Sequence, residues 1–271
     1  MGKVYLVGVG PGGELYITEI AKRLIESADV VVGYKHALNV IKNIVDKGYD
    51  EMREKSREKS EMAKREKKDV RMITLKTQDE VYAQLLDYLK GKDGEEGEKR
   101  RGREREGERK GEGGRGEKVC CILFTGDPDF SESEIVDKLV SLFESNGIEV
   151  EIIPGISSVQ VAAARSKVAI DRSSLITFHV TGSIDREKDA LLNTLRAKRP
   201  VILLPRPWDF MPQHIGRFLR DEGIDVDAFT VDIYENLTLS NEKVTRCKLA
   251  DIPDRDYSDL CVMVIKPSQQ Q

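Results

Sequence analysis

The sequence predicts an α/β fold in two parts, a parallel-led N-terminal sheet followed by a mixed C-terminal sheet. Three observations carry this. Short apolar runs alternate with amphipathic stretches through the first half of the chain. Three strand-like stretches then follow one another near the C-terminus with little helix between them. The length, 271 residues, suits one large domain or two medium ones. We divide the chain near Pro154, into 1–153 and 154–271.

Taken in order, Val4–Val9 is a continuous apolar run, as a buried parallel strand requires. Thr18–Ala28 is a helix with Ile20, Ala21, Leu24 and Ile25 on one face and Thr18 as its N-cap. Asp29–Gly33 is a second strand and Ala37–Asp46 a second helix. Val70–Leu75 is strand-like, and Thr77–Lys90 is a helix with Val81, Leu85 and Leu89 as its stripe. Val119–Thr125 (strand), Ser133–Ser145 (helix) and Ile148–Ile153 (strand) complete the first part. The second part runs through a helix near Ser157–Arg165, a strand at Leu175–Val180, a helix near Arg186–Ala197, a strand at Val201–Leu204 and a helix at Pro212–Asp221. It ends in three strands, Ala228–Tyr234, Lys243–Lys248 and Leu260–Ile265.

Two stretches break this pattern. Asp50–Asp69 is almost entirely Glu, Lys, Arg, Ser and Met. Gly91–Glu117 holds nine basic residues, nine acidic residues and nine glycines, so no side chain there can join a core. We expect the second to be a disordered surface insertion, and its balanced charge argues against a nucleic-acid arm. The whole chain carries a formal charge of −4, which gives no bias toward nucleic acid. The four cysteines (Cys120, Cys121, Cys247, Cys261) have no C-x-x-C spacing, which suits a reduced compartment. No apolar run approaches the roughly 18 residues of a membrane span, and Met1 leads directly into a strand. The expectation is a cytoplasmic protein without a membrane or nucleic-acid partner.

The turn after the first strand poses the functional question. Gly8, Gly10 and Gly13 spell G-x-G-x-x-G, the pattern of a dinucleotide-binding turn. In that fold the turn feeds a helix at once, and a carboxylate at the end of the second strand bonds the ribose. Here Pro11 removes an amide from the turn, Glu14–Ile17 delay the helix, and the second strand ends in Gly33-Tyr34-Lys35. Asp29 lies at the opposite end of that strand. The dinucleotide oxidoreductase is therefore disfavoured, and a purely structural glycine turn stays open. The three histidines (His36, His179, His214) are scattered, with neither triad nor metal-ligand spacing, so no metal is expected and no catalytic residue is identified.

Four motifs occur in order: V-G-V-G-P-G-G (7–13), A-D-V-V-V-G-Y (28–34), F-T-G-D-P-D-F (124–130) and I-I-P-G-I-S-S-V-Q (152–160). Together they resemble the tetrapyrrole methylase family, S-adenosylmethionine-dependent enzymes of cobalamin and sirohaem synthesis. The likeness covers nearly the whole chain outside the two charged stretches. I-S-S-V-Q (156–160), Y-E-N-L-T (234–238), E-K-V-T-R (242–246) and D-Y-S-D-L-C-V-M-V-I (256–265) are similar to the branch that methylates cobalt-precorrin-7 at ring carbon 5. Gly13 stands where many relatives carry Asp, and Asp129 where many carry Gly. The other readings are a family enzyme with a different substrate (another corrin carbon, or diphthine synthase) and a non-catalytic cofactor-binding module.

The resemblance implies a two-domain tetrapyrrole methylase fold, a homodimer, and S-adenosylmethionine bound between the domains. It places the methyl donor against Pro11, Gly126, Asp127, Phe130, Ser157, Ser158, Leu204 and Leu237. Four of them have an ordinary structural role as well: turn or cap for Asp127, core for Phe130, N-cap for Ser157 and Ser158. Substrate is expected near Gly10, Gly12, Tyr34, His36 and Arg165. A corrin precursor carries many carboxylates, so local cations are needed, with Lys35, His36, Arg165, Lys167, Arg172 and Arg206 as candidates. His179 is a core residue or part of the cleft lining, and Cys120 and Cys121 are packing residues. Methyl transfer from an activated sulfonium needs alignment and exclusion of water more than acid–base groups. Such positioning contributes roughly 7–11 kcal/mol, so the absence of a triad is no obstacle.

Overall fold

The computed structural model describes residues 2–42, 68–91, 117–130 and 132–268. The charged stretches fall almost wholly outside those residues, as does the second half of the expected helix at 37–46.

The first sheet contains β1 (Lys3–Gly8), β2 (Val30–Tyr34), β3 (Asp69–Ile73), β4 (Val119–Phe124) and β5 (Glu149–Ile153), in the order β3-β2-β4-β1-β5. All its pairings are parallel, with Lys3 opposite both Val119 and Glu149. Helices cover both faces, as a parallel sheet demands. They are α1 (Glu19–Ser27), α2 (residues 35–42), α3 (Gln78–Leu89) and α4 (Ser133–Glu144).

Period-two alternation sorts the side chains between two cores. Val4, Leu6, Val30, Val32, Cys120 and Ile122 face Tyr82 and Leu85 of α3 and Leu139 and Phe143 of α4. Val7, Val31, Cys121 and Leu123 face Ala21 and Ile25 of α1 and Val40 and Ile41 of α2. The adjacent cysteines thus enter opposite cores, both free thiols, and burial pushes both up to about 12. Each fully buried Leu, Ile, Val or Phe contributes roughly 1.5–3 kcal/mol, so these two layers make the sheet a rigid platform for the loops at its C-terminal edge.

The second sheet has the order β6-β7-β10-β8-β9, built from β6 (Ser174–Thr177), β7 (Val201–Leu204), β8 (Phe229–Glu235), β9 (Lys243–Lys248) and β10 (Cys261–Pro267). Only β6 and β7 pair in parallel; β10 runs antiparallel to both β7 and β8, and β8 to β9. The mixed sheet expected from the closely spaced last strands is therefore present. One face packs on α6 (Asp185–Arg196) and α7 (Pro212–Asp221) through Leu191, Leu195, Ile215 and Leu219. The other packs on α5 (Ser158–Ser166), where Val159, Ala162 and Ala163 meet Ile202, Leu204, Val262 and Val264. Small residues on α5 bring that helix close to the strands.

Most elements lie within a residue or two of their expected positions, and β7, α7 and β9 coincide. The strand expected at Leu175–Val180 ends early, at Thr177. The Phe178 amide still bonds Leu204 O, but the His179 amide donates to the Thr177 hydroxyl (3.1 Å), which turns the chain out of the sheet. Apolar alternation alone does not reveal that local competitor.

Candidate functional site

The loops at the C-terminal ends of β1, β4 and β5 meet at three glycines. A Cβ on Gly155 would sit 2.1 Å from the Gly126 carbonyl oxygen and 2.8 Å from the Gly8 backbone. Gly8 in turn has no room for a Cβ beside Gly126 and Gly155. Gly10 and Gly126 exchange backbone hydrogen bonds, 2.8 Å from the Gly126 amide and 3.3 Å from the Gly10 amide. Both sit at φ near +80°, a region that costs glycine little and other residues more. The G-x-G-x-x-G spelling thus reflects backbone-to-backbone packing of three loops.

The Asp127 carboxylate locks the same junction. One oxygen accepts from the Gly155 amide (2.9 Å) and the other from the Asp129 amide (2.9 Å). The role on display is the turn cap, and the side chain points its acceptors at protein backbone. On the far side, the Gly13 amide donates to the Thr238 hydroxyl (2.9 Å), and Gly12 abuts Leu239. The loop carrying Leu237 is held in turn by Glu242, which accepts from the Thr238 amide (2.7 Å) and pairs with Arg165. Asn236 and Thr238 both adopt positive φ there, at 51° and 72°, and so set the direction of Leu237 between them.

A cavity opens between the two sheets where these loops converge. From the first part of the chain come Pro11, Thr125, Gly126, Phe130 and Glu132. Ser157 and Ser158 line it at the start of α5, with His179 and Leu204 from the ends of β6 and β7. Leu237 and residues 259–262 close it. Ser157 forms a capping box with Gln160, its amide donating to the Gln160 side chain (2.8 Å). The expected capping role of Ser157 is therefore present, and it aims the start of α5 at the cavity, where a helix N-terminus suits a carboxylate or similar anion.

Seven of the eight residues expected around a methyl donor line this one cavity; Asp127 lies behind it. Of the residues expected for substrate, Gly10 shapes the turn below and Gly12 packs on Leu239. Tyr34 and His36 line a separate open groove with Lys35 and residues 72–76, at the C-terminal ends of β2 and β3. The Tyr34 hydroxyl donates to the Gln78 side chain (2.5 Å). Arg165 pairs with Glu242 and buttresses the 236–239 loop without lining the cavity. Arg206 is buried, forks onto Asp209 and donates to Gly182 O (2.9 Å), so it braces the turn that exposes Trp208. Lys167 ends α5 in a left-handed conformation, and Arg172 sits in a short 3-10 turn. None of these cations reaches the cavity.

The titratable groups in the lining are Glu132, His179 and Asp259, with Cys261. Burial pushes the Glu132 carboxyl above the ordinary range. Burial also lowers His179, partly offset by a hydrogen bond to the Pro205 backbone, so the imidazole is neutral. Its Nε2 is buried and has no hydrogen-bond partner among the described residues. Acidic and neutral groups without a facing cation favour a positively charged guest. Glu132 and residues 259–262 were not expected as lining. The first has no motif of its own, and the second lies in the 256–265 motif and the start of a strand, neither of which placed it at a cavity.

Among the described residues no helix is long and apolar enough to cross a membrane, and no cluster of three or more His, Cys, Asp or Glu is placed to hold a metal ion.

Comparison with known proteins accords with this geometry. The family model described as Tetrapyrrole (Corrin/Porphyrin) Methylases matches residues 3–253. The chain is 28% identical over 267 residues to a probable cobalt-precorrin-7 C(5)-methyltransferase of Methanocaldococcus jannaschii, covering 98% of this chain and 99% of that protein. Among solved structures, the methyltransferase CobJ superposes with a TM-score of 0.68 at 16% identity, covering 99% of this chain and 95% of the other. A uroporphyrin-III C-methyltransferase from Thermus thermophilus, complexed with S-adenyl homocysteine, gives a TM-score of 0.59 at 17% identity, covering 98% and 97%. At those identities the two structures establish the shared fold.

Proposed function

The chain belongs to the tetrapyrrole (corrin/porphyrin) methylase family and is a methyltransferase, and from that premise we propose that it transfers a methyl group from S-adenosylmethionine to ring carbon 5 of cobalt-precorrin-7 in cobalamin biosynthesis. One observation carries the reading beyond the family. The relative with that printed activity aligns over 98% of this chain, through every loop that lines the cavity.

The cavity suits the methyl donor in charge and in its apolar lining. Its titratable lining is acidic or neutral, which suits a sulfonium and an ammonium. Ser158 and the start of α5 suit the donor's carboxylate, and Phe130, Leu204 and Leu237 offer apolar contact to its rings. When bound, S-adenosylmethionine supplies an already activated methyl group. The protein's part is to hold that group in line with the ring carbon and exclude water. Pro11 and the Gly10–Gly126 bridge give a stiff floor for this, and Asp127 keeps the floor registered on the loop leading to α5.

The corrin's reacting edge would enter the mouth of this cavity on the Glu132 side, with the rest of the ring against the neighbouring groove of Tyr34, Lys35, His36 and Lys76, whose cations and apolar floor suit an amphipathic polyanion. We further propose two domains, 1–153 and 154–271, working as a cytoplasmic homodimer. The separation of the hydrophobic cores on either side of Pro154 supports the domain division, with Tyr16 and Phe130 reaching across.

Calorimetric titration with S-adenosylhomocysteine and with NAD tests the cofactor assignment. The proposal expects binding of the first and none of the second; the reverse would overturn it. Light scattering tests the dimer.

A further inference from the structure

We propose that Glu132 is a catalytic residue whose carboxylate accepts the proton the corrin ring loses after methylation. This rests on the reading of the protein as a corrin C-methyltransferase and names a group that the sequence left unassigned.

Glu132 lies in the cavity on the same loop as Thr125, Gly126 and Phe130, immediately before α4. It is half-buried, so it is withdrawn from bulk water yet open to a guest. Although it stands at the N-cap position of α4, it makes no side-chain capping bond, so the helix does not occupy its carboxylate. Burial raises its proton affinity, and no cation or hydrogen-bond donor holds the anion among the described residues.

The groups around it are Tyr34 at the end of β2 and Tyr82 and Asp79 on α3; Glu132 helps to push both phenols up. Asp79 is itself engaged with Lys138 of α4 (2.6 Å). From the second sheet, His179 and Asp259 line the same cavity, the histidine neutral. Two residues on, Glu134 in the first turn of α4 accepts from the Thr181 hydroxyl (2.8 Å), tying the start of this helix to the segment that carries His179. Glu132 therefore sits on a braced element at the boundary of the two sheets. A cavity carboxylate whose proton affinity burial has raised, held on a braced element, is suited to general base catalysis.

The step balances. The ring carbon's electron pair forms the new carbon–carbon bond to the methyl group while the carbon–sulfur bond breaks, and sulfur leaves as a neutral thioether with the pair of the broken carbon–sulfur bond. The ring, now one charge more positive, loses the proton on the methylated carbon to Glu132, and the carbon–hydrogen pair returns to the ring's conjugated system. The carboxylic acid then releases the proton to water when product leaves.

The test compares wild-type full-length protein with E132Q and E132D in three measurements: calorimetric affinity for S-adenosylhomocysteine, kcat with the purified cobalt-corrin substrate, and the pH dependence of kcat/KM. General base removal typically costs 10²–10⁴-fold. We expect E132Q to bind S-adenosylhomocysteine within about threefold of wild type, to lose at least about 100-fold in kcat, and to lose the acidic limb of the pH profile. E132D should keep that limb at a reduced rate. An E132Q protein with near-wild-type kcat and an unchanged acidic limb would overturn the assignment. So would a loss of affinity that matches the loss of rate, since that marks a packing role. If the wild type binds S-adenosylhomocysteine but leaves the corrin unmethylated, the functional reading fails and this inference fails with it.

Discussion

Replacing Gly155 by alanine should disrupt the site and the fold together. The added Cβ would stand 2.1 Å from the Gly126 carbonyl oxygen and 2.8 Å from Gly8 Cα, all backbone atoms that no side-chain rotation can clear. Relief requires the 126–127 turn to move by about an ångström, which stretches the 2.9 Å bond from the Gly155 amide to Asp127. Overpacking alone costs about 1–3 kcal/mol, and a weakened hydrogen bond to a charged group adds roughly 1.5 kcal/mol. We therefore expect about 3 kcal/mol of destabilisation, or a fall in Tm of about 6–12 °C at roughly 2–4 °C per kcal/mol for a chain of this size. Because Gly126 lines the cavity, S-adenosylhomocysteine affinity should drop at least about tenfold, equivalent to about 1.4 kcal/mol. Gly147→Ala is the control for a glycine replacement without crowding: its φ is positive, unlike that of Gly155, but nothing lies within 4 Å of its Cβ. It should cost about 1 kcal/mol and leave binding untouched. Thermal melting and calorimetry on both variants decide the matter. A G155A protein within about 0.5 kcal/mol of wild type and with normal binding would refute the three-glycine account.

Asp127→Ala strips the acceptor from the Gly155 and Asp129 amides and should cost about 2 kcal/mol, with Asp127→Asn losing roughly half as much, measured by denaturant unfolding. Glu132 should make wild-type stability fall with rising pH. Its folded carboxyl holds a proton more tightly than the unfolded one, so the loss begins near the ordinary glutamate value of about 4.3 and is complete above its raised folded value. Relative to wild type, E132Q should then melt higher at pH 8, with the gap closing at or below about pH 4; a constant gap would contradict the burial effect. Arg255→Met should destabilise by about 2 kcal/mol, because it abandons the buried Glu235 carboxylate. That group is pushed up by burial but held below the ordinary range overall by Arg255 and the Ser258 amide. The loss stays under the 3–5 kcal/mol of a fully buried pair, since the Arg255 side chain is 35% exposed.

Strands and helices were legible because their signals are local. Val4–Val9 has no polar residue, and Thr18 and Ser157 are capping residues followed by apolar faces that place them. The cavity was legible as motifs, since tight turns spell themselves in Gly, Pro and Asp. Long polar side chains were not. Arg165 lies about two helical turns beyond Ser158, a spacing that suggests the cleft, yet Glu242 from the loop between β8 and β9 captures it. That pairing separates residues 77 positions apart, which no local pattern reports. Glu132 was missed for the opposite reason. A glutamate before a helix is ordinary in sequence, and only the closure of the second sheet over it makes the position unusual. Residues 259–262 follow the same logic, because their approach to Pro11 and Gly126 depends on β10 lying centrally between β7 and β8.

The most direct measurement of the central claim is the product formed from purified cobalt-precorrin-7 and S-adenosylmethionine carrying an isotope-labelled methyl group, analysed by mass spectrometry and carbon NMR. The account predicts one labelled methyl on ring carbon 5, with stoichiometric S-adenosylhomocysteine. An unlabelled corrin, or a label on a different ring carbon, would contradict it.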